Sequence, residues 1–361
     1  MKKGAAFTLA ELLVGMGILV VLFGFLLVSA NQTTKLIGST AGKVEQFREA
    51  RNAFERVSTR ISQATLNTYW DYDSPTAPTR YERRSELRFI SGGVKELGIA
   101  EGGTGKRLGH AVFFNAPLGV TNGDQYRGLE NLLNTSGYYV EFNDDHAARP
   151  DFVTDALVPP QWRWRLMEFA QPTEDLTLYR FTSGLEGTMP KSRQYKGRDW
   201  FAAGFQKEAP LPSHAIAENV VAFILTPRLA RAEEQALKPR NTDESPLAPD
   251  YLFDSTTANV DARVNQKNQL PPVLQMTMVA LDKRSAQQLE QSVTTWDGSQ
   301  WDAFGVSKKF TKTADFSKDL SLDSADAGSV ERQLVAKRLT YRVFTTNIHL
   351  RGAKWSREQV N

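Results

Sequence analysis

The hydrophobic pattern changes character twice along this chain. From Leu12 to Val28 it is apolar and carries no charge; Lys2 and Lys3 stand before the run and Glu11 sits at its front edge. A helix over such a stretch, at about 1.5 Å per residue, reaches roughly the 30 Å of a bilayer core. From Asn31 to about Thr68 the chain turns polar but keeps a helical period. Phe47, Ala50, Phe54, Val57, Ile61 and Ala64 fall on one face, with Glu45, Arg48, Glu49, Arg51, Glu55 and Arg60 mostly elsewhere. The pattern predicts one long helix, its first half in lipid and its second half docked on a domain. The turn formers and prolines of 71–78 end it.

Beyond that point short strand-like runs follow, several of them with a period of two. Strands are expected at Leu87–Ser91, Ala111–Asn115, Tyr138–Phe142, Trp162–Phe169, Leu176–Thr182 and Val220–Thr226. Residues 229–270 read as a polar loop or insertion with a short helical piece near Ala230–Leu237. A strand follows within Leu270–Leu281, then a short helix at Ser285–Val293. Trp296–Ala327 is a second polar stretch, Ser329–Ala336 a helix, and Arg338–Leu350 a final strand. Strands at this spacing suggest antiparallel sheets rather than βαβ units, hence an α+β class.

The apolar N-terminus has several readings. A cleaved secretory signal has an apolar run of about 7–15 residues and a small-residue cleavage site; this run is longer, and Ser29-Ala30-Asn31 matches such a site poorly. An uncleaved signal anchor fits the length and the lysines. A buried core helix fits badly with a segment apolar all round. None of these explains Glu11, because a carboxylate at membrane depth costs about 2.5–3.5 kcal/mol near a helix centre and usually has a partner.

Met1-Lys-Lys-Gly-Ala-Ala6 followed by Phe7-Thr8-Leu9-Ala10-Glu11 and an apolar helix resembles the type IV prepilins and pseudopilins. The resemblance implies cleavage before Phe7 by a membrane prepilin peptidase and methylation of the new amine, with Ala6 standing where the family usually has Gly. It also implies that Glu11 neutralises the amine of a neighbouring subunit, two groups each costly in lipid. The stretches Ala50–Ala64, Ala217–Ile224 and Arg338–Leu350 are similar to those of large minor pilins, the J-type pseudopilins of type II secretion and the PilW-type minor pilins. Within that set, Val112–Gly119, Tyr251–Ser255 and Leu270–Asp282 look similar to the Verru_Chthon cassette protein C family. The organisation expected is a leader at 1–6, a transmembrane and filament-core helix at 7–30, its amphipathic continuation at 31–70 and a β-rich globular domain at 71–361, the whole pilin-like. Implied partners are other pilin-like subunits, the peptidase and an inner-membrane assembly platform. The leader would be cytoplasmic and the domain periplasmic or extracellular.

Composition alters little. Net charge is +3, spread through the chain without a basic block that would argue for nucleic acid. Cysteine is absent, which excludes disulfides and thiolate-ligated metals. The run Gly102-Gly-Thr-Gly-Lys-Arg107 lacks the first glycine and the final Ser or Thr of a phosphate loop and reads as a hairpin or loop. His110, His146, His214 and His349 lack metal-ligand spacing. Asp250, Asp254 and Asp261 are weak calcium candidates in the polar insertion, on a reading in which the chain is a signal-anchored binding or adhesion domain. Trp162, Trp164, Trp200 and Phe201 read as core rather than a glycan-binding face. No catalytic constellation stands out and no cofactor is expected.

Overall fold

The computed structural model describes residues 13–19, 22–26 and 47–355, apart from 75, 101–104, 130, 147–148, 151, 153–157, 159, 177, 179–197, 203–204, 206–211, 238–243, 259–263 and 294–295. The chain divides into two units, Met1–Arg48 and Glu49–Asn361. In the first, residues 13–19 and 22–26 are helical and exposed. Among the described residues no helix is long and apolar enough to cross a membrane.

The second unit is α+β and its sheets are antiparallel. It opens with helix α1 (Arg48–Ser62), whose Ala50, Ala53, Phe54, Val57 and Ile61 form a buried stripe at helical spacing. Strands β1 (Tyr69–Tyr72) and β2 (Tyr81–Arg84) make a separate hairpin. Then come β3 (Phe89–Gly93), β4 (Lys106–Pro117), β5 (Leu133–Asn143), β6 (Arg163–Gln171), the single turn α2 (Asp199–Ala202), β7 (Ser213–Glu218) and β8 (Val220–Arg228). The remainder is α3 (Arg231–Leu237), β9 (Phe253–Asp254), β10 (Val273–Leu281), α4 (Lys283–Gln291), α5 (Phe316–Leu320), α6 (Val330–Ala336) and β11 (Tyr341–His349). A six-stranded sheet runs β7-β6-β5-β4-β3-β9, and a three-stranded sheet runs β11-β10-β8.

Side chains alternate across a strand, so each register row fixes what a face presents. Val112, Tyr138 and Glu168 lie opposite one another on one face of the large sheet; Phe113, Gly137 and Phe169 share the other. The second face is sealed by Leu97, Ile99, Leu176, Trp200, Phe201 and Phe205, among others. Gly137 makes this packing possible. A Cβ there would fall 2.2 Å from Cδ1 of Phe113, whose ring instead stacks on Phe201 at 4.2 Å. Gly109 sits in the bulge of β4 at φ 70°, where a Cβ would come within 3.0 Å of the Phe223 carbonyl.

Helix α1 reaches both sheets. Its Arg56 and Arg60 pair with Glu168 of β6, and its Phe54 ring lies 5.5 Å from Phe344 of β11. The expected helix to residue 70 is corrected here: it stops at Ser62, and Tyr69–Tyr72 is a strand. The reason lies in competing partners. The Ser62 carbonyl accepts from the Arg351 N–H, and the Thr65 N–H donates to Asn115, so the backbone groups that would extend the helix are bonded elsewhere. Ser58, Thr59 and Ser62 also turn their hydroxyls onto carbonyls three or four residues back.

Two further expectations change. Leu176 and Leu178 are buried but neither lies in a strand: Leu176 follows the short 3-10 turn Thr173–Asp175, and Leu178 is itself in a 3-10 turn; the rest of 177–182 lies outside the described residues. The stretch 229–270 is only partly a loop. Leu247, Ala248, Tyr251, Phe253, Val264 and Leu270 are buried, and Phe253 and Asp254 add an edge strand to the large sheet beside β3. These apolar residues are separated by turn formers, so they show no period. The helical piece appears as α3.

Candidate functional site

The most concentrated polar constellation described is the joint between α1 and the large sheet. Glu168 is fully buried, and its Oε1 accepts from Arg60 Nη1 at 2.6 Å and from the Tyr138 hydroxyl at 2.7 Å. Its Oε2 accepts from Arg56 Nη2 at 2.5 Å and lies 3.3 Å from His214 Nε2. The local sequence explains the convergence. Arg56 and Arg60 are four apart and share a helix face. Tyr138, Glu168 and His214 occupy one register row across β5, β6 and β7. Burial and the adjacent carboxylate hold the Tyr138 hydroxyl far above its ordinary range, so it stays a donor. A carboxylate saturated in this way is a structural anchor rather than a base or nucleophile. The signal in sequence was a lone acid in the otherwise apolar face of Trp162–Phe169, readable only with the helix arginines in view.

A second buried pair, Arg107 and Glu141 at 2.8 Å, lies on the opposite face. The Arg107 guanidinium also lies 4.7 Å from the Phe205 ring centroid and 5.5 Å from that of Tyr139. Thus the final residue of the glycine-rich run is a core residue; 101–104 lie outside the described residues.

The other sequence-predicted residues are scattered. Ala6, Phe7 and Glu11, the processing and assembly positions, lie outside the described residues, as does Asp261. Asp250 accepts from the Leu252 N–H, and Asp254 accepts from the Thr256 N–H and hydroxyl, so both hold turns. Among the described residues no group of three His, Asp or Glu is placed to hold a metal. His110 is fully buried, with Nδ1 accepting from the Leu225 N–H at 3.1 Å and Nε2 facing the Phe310 carbonyl at 3.0 Å. That pairing fits a neutral ring protonated on Nε2, and burial lowers its pKa. Trp164, Trp200 and Phe201 are core; Trp164 packs with Phe142, Trp296 and Phe304. His349 is exposed on β11, at the rim of an open groove of about 590 Å³ that Arg228, Gln275 and Asn347 also line.

Comparison with protein-family models, curated proteins and solved structures gives no significant match.

Proposed function

We propose that the chain is a prepilin-like minor pilin or pseudopilin, a structural subunit of a type IV pilus-like or type II secretion-like filament. The observation that carries this reading is Phe7-Thr-Leu-Ala-Glu11 between a short basic leader and an uncharged apolar run. On this reading a prepilin peptidase removes Met1–Ala6 at the inner membrane. The segment from Phe7 to Ala30 anchors the subunit by a single span and then packs into a filament core with other pilin-like subunits, drawn up by an assembly platform. The Glu11 carboxylate meets the Phe7 amine of a neighbour, each charge relieving the cost of the other in a low-dielectric surrounding.

The second unit suits this role. An α+β body with a helix at its start, tied down by a buried ion cluster rather than by apolar contact alone, is a mechanically fixed load for a filament subunit. Saturation of the Glu168 carboxylate points the same way, toward structure and away from catalysis. The test is a Glu11→Leu substitution in the native host. Accumulation of the protein with loss of incorporation into a sheared filament fraction supports the reading. Incorporation at the wild-type level contradicts it.

A further inference from the structure

The β1–β2 hairpin exposes aromatic side chains that a soluble surface ordinarily covers. Tyr69, Trp70, Tyr72 and Tyr81 are 43, 53, 46 and 61% exposed. Trp70 lies opposite Arg83 and Tyr72 opposite Tyr81, so these four side chains share one face of the ribbon. The tyrosine rings stack at 4.7 Å and their hydroxyls are joined at 3.0 Å. The ribbon is held in shape from its turn. The Asp73 carboxylate accepts from the N–H groups of Ser74, Thr79 and Arg80 and from the Thr79 hydroxyl. The platform is therefore rigid before any partner arrives.

Its charges are unevenly matched. Arg80 pairs with Glu82 at 2.8 Å, and Arg84 lies 3.7 Å from Asp71. Arg83 is 6% exposed, yet its side chain makes no hydrogen bond or ion pair with any described residue, and its Nη1 is buried without a partner. Its guanidinium instead lies 5.3 Å from the centroid of the Trp70 ring. A desolvated cation without an anion is costly, and truly orphaned ones are rare.

We propose that this face is a docking surface for an acidic segment of a protein partner. One carboxylate seats against Arg83 at the edge of Trp70, and neighbouring apolar side chains lie on Trp70, Tyr72 and Tyr81. Trp, Tyr and Arg are the residues that concentrate binding energy at protein interfaces, and the planar guanidinium fork matches a carboxylate. A nucleic-acid strand fits less well, because a phosphate backbone calls for a row of free cations, whereas Arg80 and Arg84 already face Glu82 and Asp71 and leave Arg83 for a single carboxylate. The proposal goes beyond the filament reading and stands without it.

The test uses the full chain in detergent and fluorescent peptides carrying Asp-Leu or Glu-Leu pairs, with the amide counterparts Asn-Leu and Gln-Leu and with polygalacturonate as comparisons. Anisotropy should show saturable binding of the acidic peptides in preference to the amides. Trp70→Ala and Arg83→Gln should each weaken binding at least about tenfold. Tyr126→Ala, which removes an exposed aromatic elsewhere, should leave it unchanged. Equal binding of acid and amide peptides, binding of polygalacturonate alone, or peptide binding that survives Trp70→Ala overturns the proposal, whatever Arg83→Gln does to the hairpin.

Discussion

Arg60 of α1 and Glu168 of β6 are 108 positions apart in sequence and 2.6 Å apart in space, and the carboxylate is fully buried. This contact, doubled by Arg56, fixes the helix to the large sheet. Removing one side of a buried pair leaves a charge without its counter-ion. Glu168→Gln is therefore expected to destabilise the domain by roughly 3 kcal/mol, the low end for buried pairs because both arginines are partly exposed. Urea unfolding of Glu168→Gln, Arg60→Met and the double variant measures it, with a coupling energy well above zero expected from the cycle.

Gly137 faces Phe113 across the β4–β5 pair with no room for a methyl group. Gly137→Ala should force Phe113 off its stack on Phe201 and cost about 1–3 kcal/mol. A lower urea midpoint with unchanged slope is the expected result. Wild-type stability in this variant would mean that Phe113 repacks freely.

Stability should fall on mild acidification because of His110. Its folded-state pKa is lowered by burial, whereas the unfolded chain protonates it near the ordinary value of about 6.5. Above that pH neither state binds the proton and the native state keeps its full advantage. Below it the unfolded state binds the proton and the native state does not. Stability therefore drops by up to about 1.4 kcal/mol per pH unit from this one group until its own lowered pKa is reached. Chemical denaturation at stepped pH checks the slope, and a His110 imidazole signal that titrates below the ordinary histidine range in the folded protein checks its origin.

The hairpin turn should respond to acid only far below neutrality. Hydrogen bonds from Thr79, chiefly its hydroxyl, hold the Asp73 carboxyl well below its ordinary range. Its contribution is complete above the unfolded value of about 3.8 and is lost as pH falls through the lowered one. Asp73→Ala should speed amide exchange at Thr79 and Arg80 while leaving β4 and β5 protected. Unaltered exchange would show that the turn holds without the carboxylate.

The sequence disclosed the elements whose side chains obey a period. The stripe of Ala50, Phe54, Val57 and Ile61 marked α1, and short apolar runs, several of them alternating, marked β3 to β6, β8, β10 and β11. Elements built by partners distant in sequence stayed hidden. The hairpin straddles the place where a helix was expected to end, and β7 is short and mostly exposed. The buried residues of 245–270 are single apolar positions among turn formers, so no window contains their pattern. Of the site, Trp164 and Trp200 were legible as core, whereas Trp162 is only half-buried. The Glu168 cluster was not, since an acid in a strand gains its meaning only from Arg56, Arg60, Tyr138 and His214. The motif at Ala6, Phe7 and Glu11 is a chemical signal, and it rests on the sequence alone.

The central claim is processing at that motif, and the most direct measurement is the mature N-terminus of the protein from its own host, by intact mass and terminal-peptide mass spectrometry. The account predicts loss of Met1–Ala6 and an N-methylated Phe7. An intact leader, or a cut near Ala30, would contradict it and leave the domain as an anchored or secreted binding module.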